Sequence, residues 1–213
     1  MKKKKKIKVR SLIIIILFIL CLALISWYLF FRKEVVVSRI IDKIDKYEYT
    51  LKNTDTKSYK ESYNELKELL VDETILDEEK YVELLSKLFI TDFYTLNNKV
   101  TNQDIGGVQF IHTSLKQDFI NKASSSVYKY IKNNIDGKRK QDLPEVISVE
   151  VVKIEKKAYK NKKDEYNDSN AYKVKVKINY KNDLGYAKEE NLTFIHENNK
   201  LSIVEIENGN EKK

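Results

Sequence analysis

The sequence predicts an α+β protein in which an amino-terminal transmembrane helix precedes helices packed on a curved, cone-like antiparallel sheet of about four to six strands. Three observations support this prediction. Residues 12–31 carry no charge, the next part of the chain has apolar residues at three- and four-residue spacing, and the last third alternates apolar with polar residues. The first spacing is typical of helices and the alternation is typical of half-buried strands.

The uncharged run, LIIIILFILCLALISWYLFF, is 20 residues long. A helix of this length rises about 30 Å, which matches the hydrocarbon core of a bilayer. A cleaved signal peptide has a shorter apolar centre followed by small residues. This run instead ends in aromatic residues, of which Trp27 and Tyr28 are interpreted as interfacial anchors at the outer boundary. The sequence therefore predicts an uncleaved signal anchor that crosses the cell membrane once.

Basic residues ahead of this run predict its orientation. Cationic residues close to a span stay on the cytoplasmic side, so residues 1–11 are expected to form a cytoplasmic tail and the rest of the chain to lie outside the cell. The same cations would also favour contact with anionic lipid headgroups. They are Lys2, Lys3, Lys4, Lys5, Lys6, Lys8 and Arg10.

The net charge of +8 originates in this amino-terminal segment. Residues 1–33 contain nine of the 40 Lys and Arg residues and none of the 32 acids, so the remainder is close to neutral. A neutral domain lacks the basic surface that phosphate binding requires, and we expect no nucleic-acid partner. The abundance of Lys, Ile, Asn and Tyr is what AT-rich codons encode, which indicates a low-GC, Gram-positive-type bacterium.

A juxtamembrane helical stalk is predicted over residues 32–56. Its apolar residues follow helical spacing, and the stripe starts too close to the membrane to pack wholly on its own domain. We therefore interpret the stripe as a self-association surface. Its members are Val37, Ile40, Ile41 and Ile44. The capping residues at 53–56 predict a break between this stalk and an extracytoplasmic α+β domain over 57–206.

Three further helices are predicted in this domain. The first carries Tyr59, Tyr63 and Leu66 on one face, and the second covers residues 78–91 behind Asp77, a suitable N-cap. The third runs from Thr113 or Ser114 to about 133. Between the last two, FYTL and VQFI in residues 93–111 are either short strands or ordered loop.

Four strands are predicted in the last third of the chain. They cover residues 146–154, which are dense enough in β-branched residues to be a central strand, then 172–180, 188–196 and 201–206. Residues 160–170 have no apolar periodicity and are expected to form a solvated loop. Short turns between consecutive strands predict antiparallel pairing. A disordered tail is expected over 207–213.

This order of elements resembles the nuclear-transport-factor-two-like fold, a cone made by a bent sheet wrapped around helices. With a single amino-terminal span, the chain is similar to the bitopic assembly factors of bacterial type IV secretion and conjugation machines. The resemblance covers about residues 57–206 as an order of elements, and it implies an extracytoplasmic scaffold with no functional residue transferred. Members of this fold often hold a pocket at the open end of the cone, where some use Asp and His for proton transfer.

Few residues in the sequence indicate catalysis. Cys21 lies within the apolar run, and His112 and His196 fall in different elements and are interpreted as structural, so no metal or cofactor is expected. The one cluster that could line a cone pocket is Asp92, Asp104 and His112. We expect a non-enzymatic binding or scaffolding module whose partners are the membrane and other envelope proteins or a second copy. The alternative is a cone-fold domain that binds or transforms a small hydrophobic ligand.

Overall fold

The computed structural model of the chain describes residues 9–31, 37–71, 77–161 and 166–209, so the predicted lysine cluster at 2–8 lies outside the described residues. The chain divides into two compact units whose boundary falls between Val35 and Val36. The first unit contains helix α1, Val9–Phe31. Its segment Ser11–Phe30 is long and apolar enough to cross a membrane. The side chains of residues 11–30 are exposed along the whole helix.

The second unit begins with a β-hairpin, so the predicted helical stalk over 32–56 is wrong in its described part. Strand β1, Ile40–Ile44, pairs antiparallel with β2, Tyr49–Lys52. The register shifts between Ile40 and Asp42, which inserts one extra residue into β1. In a regular strand the apolar residues recur at every second position. The extra residue in β1 and the turn after it increase this spacing, so the apolar residues of the hairpin fall three or four residues apart, as they would in a helix.

Helix α2, Lys57–Leu69, starts directly after the capping residues at 53–56, and its N-cap Thr56 accepts a hydrogen bond from the Tyr59 N–H. These residues connect the hairpin, and not a helical stalk, to α2. Helix α3, Glu78–Tyr94, starts after the predicted N-cap Asp77. It extends three residues beyond the predicted end because the apolar FYTL segment continues its buried face. Helix α2 packs on α3, and α3 packs on the sheet.

The segment 93–111 contains no regular strand. Phe93 and Tyr94 complete α3, and Val108–Phe110 form one 3-10 turn. Gly107 has φ +76, and a Cβ there would lie 2.7 Å from the Phe89 ring. Glycine is therefore required by both the backbone and the close packing of this turn on α3.

Helix α4, Lys116–Ser125, is shorter than predicted. The Oγ atoms of Ser125 and Ser126 donate to the carbonyls of Asn121 and Lys122, and the chain leaves the helix there. Serine side chains compete with the helical hydrogen bonds in this way. Beyond the end of the helix Tyr128 is buried, whereas Tyr130 is exposed.

The main sheet has four antiparallel strands, which confirms the α+β class. They are β3, Val146–Lys156; β6, Tyr172–Tyr180; β7, Glu189–Glu197; and β8, Lys200–Asn208. The spatial order is β3-β6-β7-β8, so the predicted central strand β3 lies at an edge. Two bulges expose Ile147 and Val152 to solvent, so part of its β-branched run does not face the core.

The predicted loop over 160–170 contains a small two-stranded ribbon, β4, Tyr159–Asn161, paired with β5, Tyr166–Asp168. The predicted tail also starts too early, because Glu207 and Asn208 pair with β7. The core lies between the sheet and the helices. Its largest fully buried aromatic side chains are Tyr49, Tyr63, Tyr81, Phe89, Phe110, Tyr128 and Phe194.

Candidate functional site

A polar cavity of about 280 Å³ lies where β2, α2, α3 and the glycine-containing loop meet. This volume accommodates roughly nine waters or a small polar molecule. The lining residues are Thr50, Lys52, Asp55, Tyr59, Asp92, Ile105, Gly107, Val108 and Gln109.

Asp92 is the best-paired group in this cavity. Its Oδ1 lies 2.5 Å from Lys99 Nζ, and its Oδ2 accepts the Gly107 N–H at 2.7 Å. Burial alone would raise the pKa of Asp92, but the charge and hydrogen bond of Lys99, with the bond from Gly107, outweigh it and lower that pKa. Asp92 therefore remains an anion that fastens α3 to the loop.

The opposite wall is a closed set of neutral hydrogen bonds. Gln109 Oε1 accepts the Thr50 N–H at 2.8 Å, and Gln109 Nε2 donates to the Tyr59 hydroxyl at 2.7 Å. That hydroxyl donates in turn to the Thr50 carbonyl at 3.3 Å. The N–H and carbonyl of Thr50 on β2 are thus hydrogen-bonded to the side chains of Gln109 and Tyr59. These bonds hold this wall of the cavity in place.

Asp55 is the carboxyl in the cavity with no ion pair among the contacts described. Its Oδ2 accepts the Lys52 N–H at 2.6 Å. Burial raises the pKa of Asp55, and the charge of Asp92 acts in the same direction. A hydrogen-bond donor or cation that enters the cavity would stabilise the ionised form of Asp55. Within the described ranges, no group of three or more His, Cys, Asp or Glu side chains could hold a metal ion.

The three residues predicted to line one pocket have separate partners. Asp92 lines the cavity, whereas Asp104 Oδ2 accepts the Val100 N–H at 3.1 Å within the loop. His112 Nδ1 lies 3.0 Å from Ser114 Oγ, and its Nε2 lies 3.7 Å from Glu197 Oε1. The predicted cluster is therefore not a single site.

Sequence reasoning missed the other wall of the cavity. Thr50 and Asp55 fall within the predicted stalk, so their contribution depended on recognising the hairpin. Gln109 carried no signal, because an isolated glutamine has no periodicity or motif. The glycine pair Gly106-Gly107 was the available indicator, since adjacent glycines mark a close backbone approach.

A second candidate surface is the outer edge of β1. Val37, Ile40 and Ile41 are 74%, 59% and 52% exposed, whereas Ile44 packs partly against the core. Among the described strands β1 pairs with β2 alone, so its other edge is open. Three of the four residues predicted to form a stripe on a helix, Ile40, Ile41 and Ile44, therefore lie on strand β1. Exposed neighbouring aliphatic residues are typical of contact surfaces.

The predicted membrane-interface residues lie on α1. Trp27 and Tyr28 are both exposed in its carboxy-terminal part. Arg10 is in the first turn of the same helix. No protein-family model, curated protein or solved structure matches this chain.

Proposed function

We propose that this chain is a single-pass protein of a bacterial cell membrane whose carboxy-terminal unit is an extracytoplasmic binding or scaffolding module. Helix α1 has the length and composition of a span. The cations before it favour a cytoplasmic amino terminus, and Trp27 and Tyr28 suit the outer interface. In this proposal the domain has a cone-like sheet of the nuclear-transport-factor-two-like kind and serves an envelope assembly such as a secretion or conjugation machine.

The observation that carries the binding role is the exposed aliphatic patch formed by Val37, just before β1, and by Ile40 and Ile41 at the start of β1. The patch follows the end of α1 by only a few residues, so in a membrane-anchored chain it stays near the bilayer surface, where identical chains concentrate. Covering three aliphatic side chains would contribute several kcal/mol, at about 25 cal/mol per Å² removed from water. The first partner we expect is therefore a second copy.

Site-specific photo-crosslinking in intact membranes tests the binding role. A photoreactive residue at Ile41 should give an adduct of two copies, or a heavier adduct if another envelope protein occupies the patch. The matched control is the same residue at Leu184, an exposed leucine on the β6–β7 connection. The double substitution Ile40→Ser and Val37→Ser should remove the adduct. A strictly monomeric band from Ile41 at native expression would contradict the binding role.

Topology is tested separately. Protease added to intact cells should digest the carboxy-terminal unit and leave a fragment containing α1 in the membrane. Protection of that unit from external protease would contradict the extracytoplasmic placement. A mature amino terminus beyond Trp27 would contradict the anchor.

The polar cavity favours a second function, the binding of a small ligand. Its support is the carboxyl of Asp55, which lines the 280 Å³ cavity beside Asp92 and accepts a hydrogen bond from the Lys52 N–H. Native mass spectrometry of the full chain released from detergent should then show a bound small-molecule mass. Val108→Trp should fill the cavity and remove this mass, whereas Val152→Trp at an exposed strand position should keep it. A bare protein mass from freshly purified chain would contradict this second function.

A further inference from the structure

The β4–β5 ribbon contacts both histidines of the chain. The ring of Tyr166 lies 4.7 Å from that of His112, and its hydroxyl is hydrogen-bonded to Ser114 Oγ. Two residues later, Asp168 Oδ2 accepts hydrogen bonds from the His196 N–H and from His196 Nδ1, both at 2.8 Å. The ribbon is thus fastened to β7 through one carboxylate and covers the polar side chains of Ser114 and His112.

His196 also faces a second carboxylate. Its Nε2 lies 3.2 Å from Oε1 of Glu78, the first residue of α3. A neutral imidazole carries a single N–H, whereas the imidazolium carries two. Because ionised Asp168 and Glu78 both accept, only the imidazolium gives each of them a proton. The geometry of this clamp therefore depends on the protonation of His196.

The surroundings of the clamp favour ionised carboxylates. Glu78 Oε2 accepts the Tyr172 hydroxyl at 2.6 Å and lies 3.3 Å from Lys156 Nζ. The bond from Tyr172 lowers the pKa of Glu78, with burial opposing it. Burial would raise the pKa of Asp168, but its bonds from His196 and Asn170 outweigh burial and lower it. The charged groups facing His196 are therefore two anions, one beside the Lys156 ammonium.

We propose that the protonated side chain of His196 is a pH-responsive clamp, which ties Asp168 of β5 and Glu78 of α3 to β7. When His196 loses a proton, the Nδ1–H is the one retained, because Nδ1 lies 2.8 Å from Asp168 Oδ2 whereas Nε2 lies 3.2 Å from Glu78 Oε1. The Nε2 lone pair then faces the Glu78 carboxylate and repels it. The link between β7 and the start of α3 opens, and the contact with Asp168 becomes a weaker, neutral hydrogen bond.

The direction of the switch follows from the pKa of His196. Burial lowers this pKa, but the hydrogen bonds and charges of Asp168 and Glu78 outweigh burial and raise it above the ordinary value. A raised histidine pKa stabilises the clamped form fully below the ordinary value, and this contribution is lost as the pH rises through the raised value. The clamp therefore joins all three elements in acid, whereas in alkaline solution it loses its link to α3 and its bond to Asp168 weakens.

Nitrogen NMR of the histidine-labelled full chain in detergent tests the proposal. The chain has two histidines, so His112→Gln assigns the remaining signal to His196. We expect a pKa above that of a free histidine, two protonated nitrogens in acid, and the Nδ1–H tautomer in alkali, although free histidine prefers Nε2–H. Exchange of the His196 backbone N–H, corrected for intrinsic rates, should become about two- to fivefold faster across the transition, as for a half-exposed ion pair.

Substitutions at the carboxylates separate the clamp from general destabilisation. Asp168→Asn should return the His196 pKa toward the ordinary value and abolish the pH dependence of exchange, and Glu78→Gln should lower the pKa with a smaller effect on exchange. The matched control Asp183→Asn breaks an exposed pair with Lys188 elsewhere and should change neither. A His196 pKa at or below the free value, an Nε2–H alkaline tautomer, or pH-independent exchange in the wild-type chain would each overturn the proposal.

Discussion

Glu190 on β7 is a carboxyl placed inside the apolar core, only 4% exposed. One of its oxygens accepts the Tyr94 hydroxyl, whereas Oε2 has no hydrogen-bond partner among the described residues. Burial raises the pKa of Glu190 to about 7, against the weaker opposing effect of Tyr94. The unfolded chain releases this proton at a lower pH than the folded domain, so ionisation of Glu190 opposes folding in neutral and alkaline solution.

Replacing Glu190 with Gln should therefore stabilise the domain at high pH. At pH 8 the expected gain is about 1–3 kcal/mol, because one pKa unit corresponds to about 1.4 kcal/mol. At pH 4, where the carboxyl is protonated in both states, the gain should vanish. Thermal unfolding at the two pH values measures this difference. The control Glu189→Gln alters the adjacent residue, which pairs with Lys175 at the surface, and should show no such pH dependence. Equal effects of both substitutions at pH 8 would contradict the assignment.

The pair of Lys99 and Asp92 is the opposite case, since both charges are buried but each has a partner. Lys99 is 5% exposed and Asp92 Oδ1 lies 2.5 Å from its Nζ. Lys99→Met should cost about 3–5 kcal/mol because it leaves Asp92 as an unpaired buried anion. Adding Asp92→Asn to Lys99→Met should recover part of this loss. Urea unfolding of the two single variants and the double variant measures the coupling, and strictly additive losses would show that the pair is not coupled.

At the scale of elements, the starts of helices α2 and α3 were the features that sequence reasoning located best. Thr56 and Asp77 each accept a hydrogen bond from a backbone N–H of the first turn, the same local interaction that makes these residue types recognisable as N-caps. Strand edges were harder. Bulges expose Ile41, Ile147 and Val152, so β-branched residues that look like core lie at the surface. Bulges also discourage edge-to-edge pairing of strands.

The Asp77 cap gives a prediction for helix α3. Asp77 Oδ1 accepts the Lys80 N–H at 3.0 Å. Asp77→Ala should destabilise the domain by about 1 kcal/mol, the usual contribution of an N-cap. The same substitution at Asp45, whose side chain is exposed and pairs at the surface with Lys43, should change stability by less than about 0.5 kcal/mol. Chemical denaturation of both variants compares the two. A larger loss at Asp45 than at Asp77 would contradict the capping role.

At the scale of the whole molecule, the chain combines a highly apolar helix with a nearly neutral, charge-rich domain. The mean hydropathy of Ser11–Phe30 is 3.0, and that of the whole chain is −0.52. The excess positive charge belongs to the segment that contains the helix, so it does not determine the surface chemistry of the domain.

The proposed span predicts a specific response to charge. Leu17→Lys combined with Leu20→Lys should shift the chain from the membrane fraction toward the carbonate-soluble fraction, because each lysine near the centre of a span costs about 2.5–3.5 kcal/mol. Ile147→Lys combined with Leu184→Lys introduces the same charges at exposed positions of the domain and should leave the distribution unchanged. Retention of the α1 variant in carbonate-washed membranes would contradict the proposed span.

Local patterns in the sequence were sufficient for the α+β class, the apolar helix α1, the caps of α2 and α3, and the strands β6, β7 and β8. Each depends on residues that are close in the chain, such as the alternation of Tyr172, Val174 and Val176 with lysines. The hairpin β1–β2 was read as a helix because one extra residue at Ile41 changes the apparent period.

Tertiary structure decided what forms by contact between distant segments. The cavity needs Thr50, Tyr59, Asp92 and Gln109 from four separate parts of the chain, and the clamp needs Glu78, Asp168 and His196. The spacing of residues in the sequence does not predict such long-range contacts, because they depend on how the whole core packs and not on the preferences of neighbouring residues. The same reason places β3 at the edge of the sheet: strand order depends on which strands pair, whereas composition indicates only that a strand exists.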